Sequence, residues 1–401
     1  MLGSSRNHRK VSAITRIATF LDSVVELNIG ERAPHLFQVQ YLFYPTLFIL
    51  VKALPAMRQL HTMQLSGLFL AETNLYNILS SPHLTHLILR SIQMPKMSRF
   101  PPPNPNLRKL TLMSMFSWDA VRPLIVHLAA SLEYLEFHSC AFTFGRRSWP
   151  QLPSFPSLRE LCHHQNYYGN EAVLDELFHV SQVTHLHLSG TLNSSHTAVL
   201  PKGLQHFSTE DGMLTQRMLG TTPMTRLMSL SIQCSQELEI GHHLECSAFV
   251  RDHFPGITSL HLDIPWSLRN ISLVMARSQH NMRAMELSIA TQGDQGLEGR
   301  WQRNQVETLN DYLRNNKFPG VLQTLRMDVV QLHGKLELSL VQCSRWIDDD
   351  VVHPVTGLGG TYLKSIDVSF VLHESGSGRE RRIWKRWAKL PDGVWRIEGA
   401  L

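Results

Sequence analysis

The chain has few cysteines and no strong excess of charge. Its 401 residues include five cysteines, at positions 140, 162, 234, 246 and 343, an odd number at wide spacings. A small disulfide-stabilised scaffold is therefore excluded, and such thiols are typical of reduced proteins, so we expect a cytoplasmic or nuclear location. The net charge of +5 is too small to indicate a nucleic-acid partner.

Long apolar runs are also missing. The most apolar run, residues 41–51, contains Pro45, and it is too short for a membrane span, which needs about 20 residues. The run predicts a buried helix, and we expect no membrane partner. The first 20 residues show neither the apolar stretch nor the cleavage site of a signal peptide. No glycine-rich phosphate loop is present, since residues 357–360 (GLGG) fit no such motif, so no cofactor is expected.

The abundant feature is an internal repeat. The pattern apolar-x-x-apolar-x-apolar recurs, for example as LHTMQL (60–65), LRKLTL (107–112) and LEYLEF (132–137). Most successive copies lie about 21–26 residues apart, a spacing typical of repeat proteins. The middle apolar residues of the copies are Leu27, Met63, Leu87, Leu110, Leu135, Leu161, Leu186, Phe207, Leu230, Leu260, Met285, Leu325 and Ile366.

Each copy has the alternation of a short strand with one buried face. Segments with helical spacing follow several copies, beginning at Asn74, Trp118, Asn170 and Ser267. Strand, loop, helix and loop in about 24 residues make one coil of a solenoid, and a coil buries its apolar side only against another coil. The sequence therefore predicts an α/β solenoid of about 13 stacked strand–helix coils.

The repeat resembles the leucine-rich repeat, L-x-x-L-x-L-x-x-N/C-x-L. Cys140 in LEYLEFHSCAF and Asn166 in LRELCHHQN occupy the N/C position, which other residues fill in most copies. The irregular lengths and missing asparagines resemble fungal F-box/leucine-rich-repeat (RNI-like) proteins. The resemblance covers roughly residues 23–370, and it implies a horseshoe with a parallel sheet on its concave face.

The same resemblance implies protein recognition and no enzyme activity. F-box proteins are substrate receptors of SCF ubiquitin ligases and dock on Skp1 and a cullin. Here about 22 residues precede the first strand, without the Leu-Pro start of an F-box. We therefore interpret residues 1–22 as a cap or F-box remnant, and the chain as such a receptor or a derivative lacking the F-box. The alternative is a leucine-rich-repeat regulator of an enzyme, such as a GTPase-activating protein, or a scaffold unrelated to ubiquitin.

The domain boundaries follow from the rhythm of the repeat. Residues 23–370 form the predicted solenoid, which becomes irregular after about residue 291. Residues 371–401 are expected to be a capping tail with a flexible turn and a short helix. The basic run RERRIWKRW (379–387) contains Trp384 and Trp387. Nucleic acid or an acidic membrane could bind there, but we favour tryptophans that seal the end of the solenoid.

The side chains that flank each middle apolar residue should point out of the sheet and form a continuous patch. Cations come early along this patch, histidines in its middle and carboxylates late, a pattern that suits a protein partner of complementary charge. The histidines could make binding sensitive to pH near 6–7. The candidate binding residues are His86, Arg90, Lys109, Tyr134, Glu136, His138, His164, His185, His187, His206, His261, Asp263 and Glu286.

Two chemical alternatives use the same residue types. The central histidines, or His242 and His243 with Cys246, contain metal-ligating groups, but neither set has a recognised ligand spacing, so no metal is expected. Cys162 lies near Glu160 and His164 in the sequence, as a nucleophile would require. However, positions two apart on an open strand provide no oxyanion donors, so no catalytic residue is predicted.

Overall fold

The computed structural model describes residues 21, 23–30, 40–142, 151–164, 171–189, 200–201, 203–209, 224–233, 257–264, 283–292, 322–332, 363–373 and 380–400. The chain divides into two compact units, Met1–Leu204 and Gln205–Leu401. The predicted helix at Ser267 and the candidate metal ligands His242, His243 and Cys246 lie outside the described residues.

The first unit contains a parallel sheet in which each strand pairs with the next one along the chain. This order confirms the predicted α/β class with a parallel sheet, because parallel neighbours require a crossover in every connection. The strands are β1 (Glu26–Gly30), β2 (Thr62–Ser66), β3 (His86–Arg90), β4 (Lys109–Met113), β5 (Tyr134–His138), β6 (Glu160–His164) and β7 (His185–Leu188).

Helices are described in four connections of this unit. The helix predicted from the apolar run is α1 (Gln40–Ala53), which continues into a 3-10 turn at Leu54–Ala56. The others are α2 (Glu72–Leu79), α3 (Trp118–Leu128) and α4 (Glu171–Val180). α2 begins two residues before the predicted start at Asn74. In α3 the Ser117 side chain accepts a hydrogen bond from the backbone N–H of Ala120, which caps the helix as its sequence favours.

The connection from β3 to β4 contains no helix in residues 91–108, all of which are described. Here a proline-rich loop, residues 100–106 (FPPPNPN), lies in the crossover between the two strands. The buried Asn104 side chain donates to the carbonyl oxygen of Ser81 at 2.6 Å, which ties this loop to the end of α2. A strand–helix coil therefore does not occur at this copy of the repeat.

The core lies on one face of the sheet. Register places the middle apolar residues of successive strands side by side, as in the column Leu87, Leu110, Leu135 and Leu161. Each of these four side chains is fully buried. The residues two positions later, such as Leu112 and Phe137, are also buried. Alternate residues therefore face away from this core, as the repeat predicts.

A turn of constant geometry follows several strands. Gly67, Ser91, Ser114 and Ser139 come directly after β2 to β5, and all have φ between 49° and 64°. Each donates its backbone N–H to the carbonyl of the last residue of the next strand, at 2.8–2.9 Å. The next residue turns back into the core, as the buried Cys140 shows, and its thiol donates to the carbonyl of Leu112.

In the second unit the sheet has parallel strands followed by an antiparallel hairpin. The middle apolar residues Phe207, Leu230, Leu260, Met285, Leu325 and Ile366 align across the six parallel strands. Thus all thirteen predicted strand positions are confirmed as strands. These strands are β8 (His206–Thr209), β9 (Ser229–Gln233), β10 (Ser259–Ile264), β11 (Ala284–Gln292), β12 (Thr324–Leu332) and β13 (Ser365–His373).

The predicted helix in the tail is wrong. Residues 380–400 form β14 (Glu380–Lys389), which pairs antiparallel with β13, and β15 (Trp395–Ala400), which pairs antiparallel with β14. The turn between them places Gly393 at φ +85°, and Asp392 accepts the backbone N–H of Val394. Such turns are typical of hairpins. Trp387 is buried opposite Ile366, so one tryptophan does cover the apolar side of β13.

Within the part of the chain that is described, no helix has both the length and the apolar character needed to span a membrane.

Candidate functional site

The candidate site is the side of the first unit's sheet that faces away from the core. We call it the polar face, formed by the side chains at the first, third and fifth positions of β1 to β6 and at the first and third positions of β7. Register aligns His86 with Lys109, Tyr134 and Glu160 at the first position. It aligns Thr111 with Glu136 and Cys162 at the third position. The face therefore presents columns of polar groups from adjacent strands, which lie about 4.8 Å apart.

Glu136 on β5 is the centre of a hydrogen-bond network on this face. Its Oε2 accepts hydrogen bonds from the Tyr134 hydroxyl at 2.8 Å and from Thr111 Oγ1 at 3.0 Å. His86 Nε2 lies 3.0 Å from the same Thr111 oxygen. The threonine hydroxyl has one hydrogen, which it donates to Glu136, so Nε2–H of His86 is the donor in that contact. Three strands are thereby connected through one half-buried carboxylate.

Three histidines on neighbouring strands form what we call the imidazole row: His138, His164 and His187. The ring centroids of His138 and His164 are 6.0 Å apart, and those of His164 and His187 are 4.4 Å apart. His164 Nε2 lies 3.8 Å from Oε1 of Glu136, so the row meets the Glu136 network. The Ser189 hydroxyl lies 3.4 Å from the other nitrogen, Nδ1 of His164.

Burial keeps two imidazoles of the polar face, those of His187 and His86, neutral. Burial, and then the neighbouring His164, lower the pKa of His187 to about 4. Burial, and then Lys109, also lower the pKa of His86, against an opposing effect of Glu136. At neutral pH these two rings are therefore uncharged polar groups rather than cations.

Tyr134 and Cys162 are also held in their neutral forms. Burial is the main reason that the pKa of Tyr134 is raised, and its contacts with Cys162 and Glu136 add to the effect. Burial raises the pKa of the Cys162 thiol to about 12, and Glu160 and Glu136 oppose its ionisation. A thiol that stays protonated at neutral pH is a poor nucleophile. The arrangement therefore favours recognition over nucleophilic catalysis at Cys162.

The other predicted residues of this unit lie at the ends of the strands. Arg90 is exposed at the end of β3, and Lys109 is exposed at the start of β4 with its ammonium 5.8 Å from the centre of the Tyr134 ring. His185 is exposed at the start of β7, where its Nδ1 lies 3.0 Å from the Thr184 hydroxyl. Lys109 thus borders the Glu136 network, and Arg90 and His185 are exposed at the ends of other strands of the same sheet.

Four predicted residues belong to the second unit. His206 on β8 and His261 on β10 are half-buried. Asp263 and Glu286 occupy backbone positions on β10 and β11, and their side chains lie outside the described residues. Register pairs His261 with Glu286. The candidate residues therefore fall into two sets, of which the one in the first unit forms a connected network.

Metal binding is the alternative to protein recognition that the histidines of the polar face suggest. Among the residues whose side chains are described, no group of three or more His, Cys, Asp or Glu is arranged to hold a metal ion. The imidazole row has the right residue type, but its rings lie side by side in tilted pairs with centroids 6.0 and 4.4 Å apart.

Two participants in the network are absent from the predicted binding residues. Thr111 connects His86 to Glu136, and Ser189 contacts His164. The alternation of the strand placed Thr111 on the correct face. The sequence alone, however, does not indicate that its hydroxyl connects His86 with Glu136. Ser189 lies just beyond the last residue of β7, where this alternation no longer applies.

Comparison with known proteins assigns neither a family nor a function to this chain. No protein-family model matches this chain, and no curated protein matches it. The fold and the arrangement of the polar face therefore carry the functional proposal.

Proposed function

We propose that this chain recognises another protein through the polar face of its parallel sheet. The observation that carries the proposal is the Glu136 network, in which His86, Thr111 and Tyr134 are positioned on adjacent strands. Side chains that are already ordered lose little entropy when a partner binds. Interfaces also favour tyrosine and arginine, and both occur here as Tyr134 and Arg90.

The number of coils and the curvature of the sheet are part of the same proposal. We infer a leucine-rich-repeat solenoid of about 13 coils, a horseshoe with the polar face on its concave side. Strand-by-strand register within each unit and the recurrent turns after β2 to β5 support this. In such a solenoid each coil contacts only its neighbours, and a partner lies across several coils.

The resemblance to fungal F-box/leucine-rich-repeat proteins extends the proposal to a biological role. The chain would act as a substrate receptor of an SCF ubiquitin ligase, or as a derivative without the F-box. Affinity capture of the tagged protein from its own cell extract, followed by mass spectrometry, tests this role. Recovery of Skp1 and a cullin supports it, whereas a stable partner recovered without Skp1 contradicts the ligase role and leaves protein recognition.

Charge reversal on the polar face tests recognition itself. We expect Arg90→Glu combined with Lys109→Glu to weaken partner binding at least tenfold, because both cations are exposed on the polar face. The measurement is the dissociation constant of the captured partner, with circular dichroism to show that the fold is kept.

The matched control is Lys52→Glu combined with Arg58→Glu. These exposed residues lie outside the polar face, and the double variant changes the net charge by the same amount. Equal affinities of the two double variants would contradict the placement of the binding site on the polar face.

A further inference from the structure

The imidazole row has one member that is placed to accept a proton. His164 lies between His138 and His187, and its Nε2 is 3.8 Å from the Glu136 carboxylate. An opposite charge at this distance stabilises the imidazolium form. The network leaves Glu136 Oε1 facing His164, because the hydrogen bonds from Thr111 and Tyr134 both go to Oε2.

The pair formed by His164 and His187 has room for one proton rather than two. The rings of His164 and His187 are 4.4 Å apart, so two imidazolium ions there would repel each other strongly. Burial and the neighbouring His164 already hold the pKa of His187 near 4. Of these two rings, His164, beside the carboxylate, is therefore the one that takes the proton.

The other charged and titratable groups of the face do not change this assignment. Lys109 is at the far end of the network beside Tyr134, and Glu160 is exposed at the start of β6. Burial keeps Tyr134 and Cys162 neutral. Besides His164, the charged and titratable groups of the polar face on β4 to β7 are Lys109, Tyr134, Glu136, His138, Glu160, Cys162, His185 and His187.

We propose that His164 is a one-proton switch that strengthens the binding of a carboxylate-bearing protein segment as the pH falls from about 7.5 to about 6. This inference rests on the proposed recognition function. The imidazolium of His164 offsets the negative charge of Glu136, which would otherwise repel an acidic segment, and the exposed cations Arg90 and Lys109 then dominate this part of the face. The partner class is therefore a segment rich in Asp or Glu.

The proton site is tested on the full chain without any partner. Histidines labelled with 13C at Cε1 are titrated by NMR, and His164→Gln assigns the His164 resonance. We expect the His164 midpoint to fall by about one pH unit in Glu136→Gln, because the carboxylate that stabilises the imidazolium is lost. Glu26→Gln is the matched control, since Glu26 is on the same face five strands away, on β1.

Two NMR results would overturn the proton site. One is a His164 midpoint that moves equally in Glu136→Gln and Glu26→Gln. The other is a His187 resonance that titrates at higher pH than His164. Neither result depends on whether the chain binds a protein, so failure of the switch is distinguishable from failure of the recognition function.

The partner chemistry is tested with a fluorescein-labelled peptide of eight glutamates. Fluorescence anisotropy with the full chain should show binding about fivefold tighter at pH 6.0 than at pH 7.5, the effect of one added charge near 4 Å in water. His164→Gln should remove this pH dependence. Equal affinity at both pH values, or no binding at either, would overturn the acidic-partner assignment.

Discussion

Single residues after the strands of the first unit adopt a backbone conformation that costs free energy. Ser91, Ser114 and Ser139 have φ near +50°, a region that glycine occupies readily and other L-residues seldom do. Each is held there because its N–H completes a hydrogen bond to the end of the next strand. Gly67 occupies the same place after β2, so three serines replace the residue best suited to the turn.

Substitutions at Ser114 should therefore raise or lower the stability of the chain, depending on the new side chain. We expect Ser114→Gly to raise the free energy of unfolding by about 0.5 kcal/mol, since relief of the left-handed strain exceeds the entropy cost of glycine. Ser114→Val should lower it by about 1–2 kcal/mol, because a β-branched side chain fits this region poorly. Urea denaturation followed by circular dichroism measures both.

Ser117→Gly is the control for the Ser114 variants. Ser117 caps α3 with φ −123°, in ordinary extended backbone. Glycine there should cost only a few tenths of a kcal/mol. A stabilising effect of glycine at both serines would contradict the strain assigned to Ser114.

At the scale of elements, an ion pair joins two helices of the first unit. The Arg122 guanidinium on α3 is 5% exposed and lies 3.4 Å from Glu176 on α4, whose carboxylate is 26% exposed. The same carboxylate oxygen accepts the backbone N–H of Leu152 at 2.7 Å. One side chain thus holds together α3, α4 and the segment before β6.

Removal of that carboxylate should be costly. We expect Glu176→Ala to lower the free energy of unfolding by about 2–3 kcal/mol, because a buried guanidinium loses its counter-charge. Thermal and urea unfolding would measure it. The comparison is Glu133→Ala, which breaks the pair with Arg108, where both side chains are about half exposed. That loss should stay below about 1 kcal/mol, and equal losses would contradict the role given to Glu176.

At the scale of the whole molecule, partly buried histidines make stability depend on pH. The pKa values of His86, His127 and His187 are all lowered, with burial as the largest cause. The unfolded chain then binds more protons than the folded one between about pH 4 and 6.5, so stability rises with pH there. We expect the free energy of unfolding to fall as the pH drops from 6.5 towards 4.

Substitution of His187 should reduce this loss of stability at acidic pH. In His187→Gln the difference in unfolding free energy between pH 7.5 and pH 5 should be smaller than in the parent chain, because a proton no longer has to enter a buried site. Urea unfolding at the two pH values measures it. His185→Gln changes an exposed histidine on the same strand and should leave the difference unaltered. The same reduction in both variants would contradict the assignment to His187.

Local patterns were sufficient to predict much of the fold. The period-two alternation around residues such as Leu110 and Leu135 identifies the strands β1 to β13, and helical spacing identifies α2, α3 and α4. These patterns predict strands and helices because the direction of a side chain in either element is set by the local backbone over a few residues. The same alternation assigns His86, Glu136 and His164 to one face. The hairpin of β14 and β15 was missed, since an antiparallel strand forms here by pairing with β13, and that pairing leaves no local pattern.

The site depends on contacts between residues that are distant in the sequence. Thr111 donates to Glu136 and accepts from His86, each about 25 residues away, and only the register of three strands brings them within 3.0 Å. Burial of Cys162, which keeps its thiol protonated, likewise comes from neighbouring strands. Distances and burial are properties of packed neighbours, whereas alternation belongs to one strand. For this reason the residues of the polar face could be predicted from the sequence. The protonation states and the Glu136 network, by contrast, depend on how the strands pack.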